Sequence, residues 1–151
     1  MPTSTRFAVA LHALSVLVVN GDSPTRSERI ASSANTNPTV IRKLFSLLAK
    51  AGITQSQLGN GGGMQLARPA ADIRLLDVYR AVEDTEVFAL HRGKPNQRCL
   101  VGRNIQAVLA PRFDAARTAL EQALAEVSLA DVVADIRARR TLSEPEALAE
   151  A

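Results

Sequence analysis

The residues best suited to chemistry form one polar, basic set on a single short helical segment. Thr39, Arg42, Lys43, Ser46 and Lys50 recur at steps of three, one, three and four, so a helix brings them to one side. An Arg guanidinium matches the two acceptors of a guanine edge, and Lys or Thr can hold a phosphate or a base edge. A charged helix face can also be merely solvated, and the spacing alone does not separate the two interpretations.

A second set of candidate residues forms a glycine-rich loop, Gly59-Asn60-Gly61-Gly62-Gly63, between two predicted strands at 53–58 and 64–67. Glycine permits positive φ and close approach of the backbone to another surface. A nucleotide-binding loop is disfavoured, because no Lys-Ser/Thr pair follows and no helix opens after the loop. The loop is better explained as the tip of a wing that lies over a DNA backbone or minor groove.

Enzymatic chemistry is not indicated by any other residue pattern. No Ser/His/Asp set, paired carboxylates or metal-ligand spacing is visible, so neither a catalytic nor a metal site is expected. Cys99 is the single cysteine, which excludes an intramolecular disulfide and fits a reducing cytoplasm. The apolar run at 7–19 is interrupted by His12 and is too short to span a bilayer, so no membrane association is expected.

The basic set is positioned by a predicted helix-turn-helix. Thr25 to Glu28 has the T-x-x-E pattern of a capping box, which opens a short helix that ends before Asn35. Asn37 is placed to cap the next helix, and Pro38 suits its first position, where a missing N–H costs nothing. That second helix runs to about residue 51, and Gly52 ends it.

The remaining segments are predicted to pack against this unit and to join two copies of it in a dimer. Helix 3–19 is apolar on most sides, as expected of a helix packed between two layers. The other predicted elements are a helix at 72–83, a loop at 85–98, a long apolar-striped helix at 101–127 with a kink or start at Pro111, and a helix at 129–139 capped by Ser128.

Composition and charge agree with this scheme. The 151 residues are 46% hydrophobic but only 3% aromatic, which favours a helical core of Leu, Val, Ile and Ala. Residues 1–68 have a balance of +5 and residues 69–151 a balance of −2, which suggests a front domain that faces a polyanion. We predict a mainly α fold with a small β-hairpin, divided as follows: a winged helix-turn-helix at 1–84, a linker at 85–100, dimerisation helices at 101–140 and a flexible tail at 141–151.

The chain resembles the Rrf-two family of bacterial winged-helix transcription regulators. The resemblance covers roughly residues 3–127, and its most specific element is the G-x-G-G-G wing set between two helical signatures. The matching segments are 6–14 (RFAVALHAL), 30–31 (IA), 37–44 (NPTVIRKL), 50–53 (KAGI), 59–63 (GNGGG), 66–69 (LARP) and 75–83 (LLDVYRAVE).

The resemblance implies a homodimer that binds double-stranded DNA at an inverted repeat and represses transcription by covering a promoter. Helix 3–19, the wing and the long helix of each subunit would pack across the two-fold axis. The DNA contacts carried over are Asn37, Thr39, Arg42, Lys43, Asn60, Gly61 and Gly62, with Arg42 as the best base-reading candidate. Some members carry Arg before the wing glycine, where this chain has Leu58, which weakens an expected minor-groove contact.

Cys99 separates this chain from the cluster-binding members of the family. Those members carry three cysteines before the long helix, whereas here one cysteine stands in Cys99-Leu100-Val101-Gly102, so no iron–sulfur cofactor is expected. Cys99 could be a redox sensor, because Arg98, Arg103 and the helix N-terminus would favour its thiolate. The favoured alternative is a small buried residue that fills space. The inducer, redox or small-molecule, stays open.

A different class of function is also compatible with the pattern. A helical dimer could use its winged domain to bind a protein partner, since a fold does not fix a function. Salt dependence separates the two, because phosphate contacts weaken steeply with salt and a Leu/Val interface does not.

Overall fold

A computed structural model describes residues 4–84 and 86–143. The predicted mainly α fold with one hairpin is confirmed in this part of the chain; the tail predicted beyond residue 143 lies outside the described residues. The elements are α1 (Arg6–Asn20), α2 (Ser27–Ala34), α3 (Pro38–Lys50), β1 (Thr54–Gln57), β2 (Gly63–Leu66), a 3-10 turn (Ala70–Asp72), α4 (Leu75–Val82), α5 (Leu100–Ala125) and α6 (Leu129–Ser143).

α1 is the central helix of the fold. It contacts α2, α3, α4 and α6, and its buried residues include Ala10, Ala13, Leu14 and Leu17. Two alanines in this set let neighbouring helices approach closely, while the leucines fill the space between them. A helix that is apolar on most sides therefore has packed neighbours on most sides, as the sequence predicted.

The turn between α2 and α3 is held by backbone geometry that asparagine tolerates. Asn35 has φ 49° and ψ 51°, the left-handed conformation that ends α2. The N–H of Asn35 donates to Ser32 O at 3.3 Å, and the N–H of Thr36 donates to Ala31 O at 2.9 Å. Asn37 Oδ1 then accepts from Thr39 N at 2.8 Å, so the predicted cap of α3 is confirmed.

The capping box predicted at Thr25 to Glu28 is wrong. α2 begins at Ser27, and no side chain caps it. The Thr25 hydroxyl instead accepts from Asn20 Nδ2 at 2.7 Å, which ties the end of α1 to the start of α2. Thr25 is buried at 1% exposure, so its side chain belongs to the core and not to a helix terminus.

α3 is joined to the wing by a Schellman motif, the paired hydrogen bonds that close a helix C-terminus. Gly52 has φ +74°, its N–H donates to Ala49 O at 3.0 Å, and Ile53 N–H donates to Leu48 O at 3.0 Å. Ile53 and Leu48 are both fully buried, the apolar contact that accompanies this motif. The motif fixes the angle at which β1 leaves α3.

The wing is an antiparallel hairpin with Thr54 opposite Leu66 and Gln57 opposite Gly63. A third segment joins it, because Thr25 N–H donates to Met64 O at 2.9 Å and Met64 N–H donates to Thr25 O at 2.8 Å. A Cβ on Gly63 would lie 2.7 Å from the Thr25 backbone. Glycine at this position is therefore required for the hairpin to contact the segment that precedes α2.

The back half of the chain differs from the prediction in two details. The predicted helix at 72–83 begins later, because a 3-10 turn precedes it and Arg74 N–H donates to Asp77 Oδ2 at 2.8 Å. α5 runs from Leu100 to Ala125 with Pro111 inside it, so no helix begins at that proline. Among the described residues, no helix has the length and apolar content needed to cross a membrane.

α6 packs on α1 and on the 3-10 turn, with Leu129 and Val133 buried. Ser128 caps it as predicted, because Asp131 N–H donates to Ser128 Oγ at 3.1 Å and Ser128 N–H donates to Asp131 Oδ2 at 2.9 Å. The pKa of Asp131 is lowered, first by the hydrogen bond that its carboxylate accepts from the Ser128 backbone N–H and then by the nearby Ser128 hydroxyl. α6 thus completes the core around α1, although the sequence placed it among the dimerisation helices.

Candidate nucleic-acid interface

α3 has one buried side and one exposed side. Its buried residues are Ile41, Leu44, Phe45 and Leu48. The five polar residues predicted to share the opposite side are all exposed: Thr39, Arg42, Lys43, Ser46 and Lys50. Phe45 belongs to the buried side, whereas the apolar Val40 is 40% exposed. The basic side is nevertheless exposed and accessible to a ligand.

Asn37 lies at the N-terminus of α3 and has a structural task there. Its Oδ1 accepts the Thr39 N–H that caps the helix. This bond uses one of the two lone pairs of the amide oxygen and leaves the Nδ2 group for a contact with another molecule. The side chain is exposed, which makes such a contact geometrically accessible.

Arg42 is held by Glu28, a residue that the sequence assigned only to a capping box. Its Nη2 lies 2.7 Å from Glu28 Oε1 on α2, and the two side chains are 54% and 61% exposed. The pKa of Glu28 is lowered by its own backbone N–H and then by the hydrogen bond and charge of Arg42. The pair links the two helices of the helix-turn-helix at the solvent surface, fourteen positions apart in sequence.

The wing tip, residues 59–63, needs its glycines for its own fold. Gly59 and Gly61 have φ of +92° and +76°, and a Cβ on Gly62 would lie 2.2 Å from Gln57 O. Gly62 N–H donates to Gly59 O at 3.0 Å. The sequence attributed Gly61 and Gly62 to close approach of DNA; the structure supplies an internal reason for both. Asn60 and Gly61 are exposed at the tip, and Gly62 is half-buried.

Leu58 stands just before the wing tip and is 91% exposed. An apolar side chain so exposed has no packing role within the part of the chain that the structure describes. The wing of this chain therefore presents an apolar side chain, and not a cation, next to its tip.

Cys99 is exposed and occupies the N-cap position of α5. The favoured expectation of a buried, space-filling cysteine is therefore wrong for the isolated subunit. The loop before it packs on the helix, because a Cβ on Gly102 would lie 2.2 Å from Asn96 O. His12 Nε2 is 2.9 Å from Ser33 Oγ. Across residues 4–84 and 86–143, no three His, Cys, Asp or Glu side chains cluster as metal ligands.

These features together define a winged helix-turn-helix. Two helices meet at a tight turn, the second presents an exposed basic side, and a hairpin follows directly from its C-terminus. In this class the exposed N-terminal part of the second helix enters the major groove of DNA. The fold and the site therefore define a DNA-binding protein.

The chain belongs to the Rrf2 (Rrf-two) family, whose model is described as an iron-dependent transcriptional regulator and matches residues 3–135. YwnA of Bacillus subtilis (strain 168), classed as an HTH-type transcriptional regulator, is 47% identical over 86% of this chain and 96% of its own length. The HTH-type transcriptional regulator IscR of Cereibacter sphaeroides is 28% identical, with 88% of this chain and 86% of IscR covered.

Solved structures show the same similarity. A transcriptional regulator of Lactobacillus plantarum, so classed, superposes with a TM-score of 0.75 at 29% identity, over 96% of this chain and 98% of that one. A chain classed as a DNA-binding protein gives a TM-score of 0.68 at 43% identity, over 84% and 97%. The protein is thus a DNA-binding transcriptional regulator, in a family of regulators and not of enzymes.

Proposed function

We propose that the protein is a cytoplasmic homodimeric repressor that binds an inverted-repeat operator. The observation that best supports a dimer is the exposure of α5. None of its 26 residues, all of which the structure describes, is buried in the single chain. Leu100, Val101 and Val108 are 67%, 64% and 46% exposed, and the two valines are seven residues apart, so they share one helix face. An apolar face of this kind is stabilised by a second copy of the same helix.

Val108→Lys is expected to shift the protein from dimer to monomer. The substitution places a charge in the proposed helix–helix interface, where burial without a partner is costly. Sedimentation equilibrium measures the mass directly. Gln122→Lys, on an exposed polar position of the same helix, is the matched control and should remain dimeric. A wild-type chain that sediments as a monomer at all concentrations would contradict the dimer.

The proposed operator contacts are those of the exposed side of α3 and of the wing. Arg42 reads a guanine edge, Thr39 and Lys43 hold phosphate or a base edge, and Asn37 offers its Nδ2 group. The wing tip contributes Asn60, Gly61 and Gly62. In a two-fold dimer the two α3 helices would enter successive major grooves, with half-sites about one helical turn apart. A dimer bound in this way blocks a promoter by occupying it.

Arg42→Ala tests this model, after the operator has been selected from random duplexes and footprinted. We expect a loss of about 1–3 kcal/mol of specific binding and relaxed preference at one base pair per half-site. Lys43→Ala should weaken all duplexes alike and reduce the salt slope by about one. Arg137→Ala, an exposed Arg on α6, is the control. Superimposable binding curves for wild type and Arg42→Ala would refute the docking model.

Glu28→Gln is expected to reduce the ratio of specific to non-specific affinity several-fold. The carboxylate holds the Arg42 guanidinium in one place and repels DNA phosphates that Arg42 does not reach. Without the carboxylate, the guanidinium can bind the phosphate backbone of any duplex. Because the folded pKa is lowered, the ion pair is complete at neutral pH and is lost as pH falls through that value. Titration of operator and random duplexes at pH 7 gives the ratio, and an unchanged ratio would exclude a positioning role.

The alternative, a winged domain that binds a protein partner, predicts a different salt response. Repression through DNA contacts predicts that log Kd changes steeply and linearly with log salt. A Leu- and Val-rich protein interface does not. An operator affinity that is independent of salt would favour the alternative.

We also propose that this member works without an iron–sulfur cluster, although its family is described as iron-dependent. The sequence offers one cysteine, Cys99, and two histidines, a poor set for a cluster that needs several thiolates. Anaerobic reconstitution with iron and sulfide should leave no cluster absorption.

The exposure of Cys99 supports the redox-sensor hypothesis instead. A Cys99→Ser variant that still releases DNA on peroxide treatment would exclude that hypothesis.

A further inference from the structure

An open groove of about 690 Å³ lies between α1, α2 and α6. Its walls are mostly apolar and are formed by Leu11, Val16, Val19, Val132 and Ile136. Val19 and Ile136 are 58% and 47% exposed, so no other described element covers this surface. The volume lies in the range of small-molecule sites, about 300–1,000 Å³. We call this surface the α1–α2–α6 groove.

The polar residues of the groove all belong to α1 and α2, and most of them already have partners. Ser15 Oγ donates to Leu11 O at 2.7 Å, and Asn20 Nδ2 donates to Thr25 Oγ1 at 2.7 Å. His12 Nε2 is 2.9 Å from Ser33 Oγ. When His12 carries its proton on Nε2 it donates to Ser33, and the serine hydroxyl hydrogen is then available to a ligand oxygen.

Arg29 is the exception in this set. Within the described chain it takes part in no ion pair, and no carboxylate lines the groove. A guanidinium at the edge of an apolar groove is complementary to an anion, because its planar donors match a carboxylate in two parallel hydrogen bonds. The charge and the walls together select a molecule with one anionic end and an apolar body.

We propose that the α1–α2–α6 groove binds a small monocarboxylate with an apolar body. The carboxylate pairs with Arg29 and accepts from Ser33, and the apolar body lies against Val132 and Ile136. Arg29 and Ser33 belong to α2, the helix that also carries Glu28, the partner of Arg42. A ligand that binds one conformation of α2 more tightly than another therefore raises the population of that conformation.

Octanoate and 1-octanol are suitable probes, because they share an apolar body and differ in charge. With the full-length wild-type chain, calorimetry should show octanoate binding about tenfold tighter than 1-octanol. Amide NMR shifts should fall on α1, α2 and α6. Arg29→Gln should remove the preference for octanoate. Ile136→Ala should weaken both probes by a similar factor, and Arg137→Gln, outside the groove, should change neither.

Several results would overturn the proposal. These are equal affinity of the two probes for wild type, a preference that survives in Arg29→Gln, or shifts confined to α5. Absence of binding of either probe would also overturn it. An octanoate-dependent change in operator Kd that Arg29→Gln abolishes would link the groove to DNA. The operator measurement rests on the proposed function, whereas the calorimetric measurement of probe binding does not. The groove proposal and the proposed function can therefore fail separately.

Discussion

Leu129→Ala is expected to lower the free energy of unfolding by about 2–5 kcal/mol, the usual cost of a cavity in a well-packed core. Leu129 is fully buried within the core cluster, and its N–H donates to Ile73 O at 2.8 Å. The side chain thus fills space between the first turn of α6 and the winged helices. Urea unfolding followed by far-UV circular dichroism measures the loss.

Ile136→Ala is the matched control on the same helix. Ile136 is 47% exposed, so its truncation removes little buried area and should cost about 1 kcal/mol or less. Equal losses for the two variants would mean that α6 is only loosely attached. A large difference would establish that α6 is a structural part of the winged domain.

Gly62→Ala is expected to destabilise the protein by about 3 kcal/mol, at the upper end for overpacking. Its Cβ would lie 2.2 Å from Gln57 O and 2.8 Å from Gly59 O. Both neighbours are backbone atoms, so a side-chain rotation cannot relieve the overlap and the wing tip itself must move. Thermal unfolding measures the stability, and operator titration should show weaker binding because the tip is displaced.

Gly93→Ala provides the comparison for this loop substitution. A Cβ on Gly93 meets nothing within 4 Å, and its φ is not positive. Alanine there should be neutral or stabilise by up to about 1 kcal/mol, because it restricts the unfolded chain. If Gly62→Ala changed the stability as little as Gly93→Ala, the backbone atoms around Gly62 could not be as close as described.

Features that depend on residues close in sequence could be predicted. The exposed and buried sides of α3 follow from spacing within one helix, and the Asn37 cap follows from its neighbours Pro38 and Thr39. The Ser128 cap is similar, since the partner Asp131 is three residues away. In each case the physical cause lies within one turn of helix, so the local sequence contains all the information needed.

Features that depend on distant residues could not be predicted. The pair of Glu28 and Arg42 requires knowledge of how α2 and α3 cross. Thr25 was assigned to a helix cap because its partner Met64 is far along the chain. The exposure of Cys99 and the attachment of α6 to α1 were missed for the same reason. Tertiary contacts outweighed local preference at each of these positions.

The bridge between Thr25 and Met64 has a consequence for the operator. Because the wing is hydrogen-bonded both to its own hairpin partner and to the segment that opens α2, it cannot swing independently of the helix-turn-helix. If α3 and the wing bind DNA as proposed, the distance between the base pairs that each contacts should be constant for every operator. For the proposed dimer, operators should then differ only in the number of base pairs between half-sites, because that spacing depends on how the two subunits are joined.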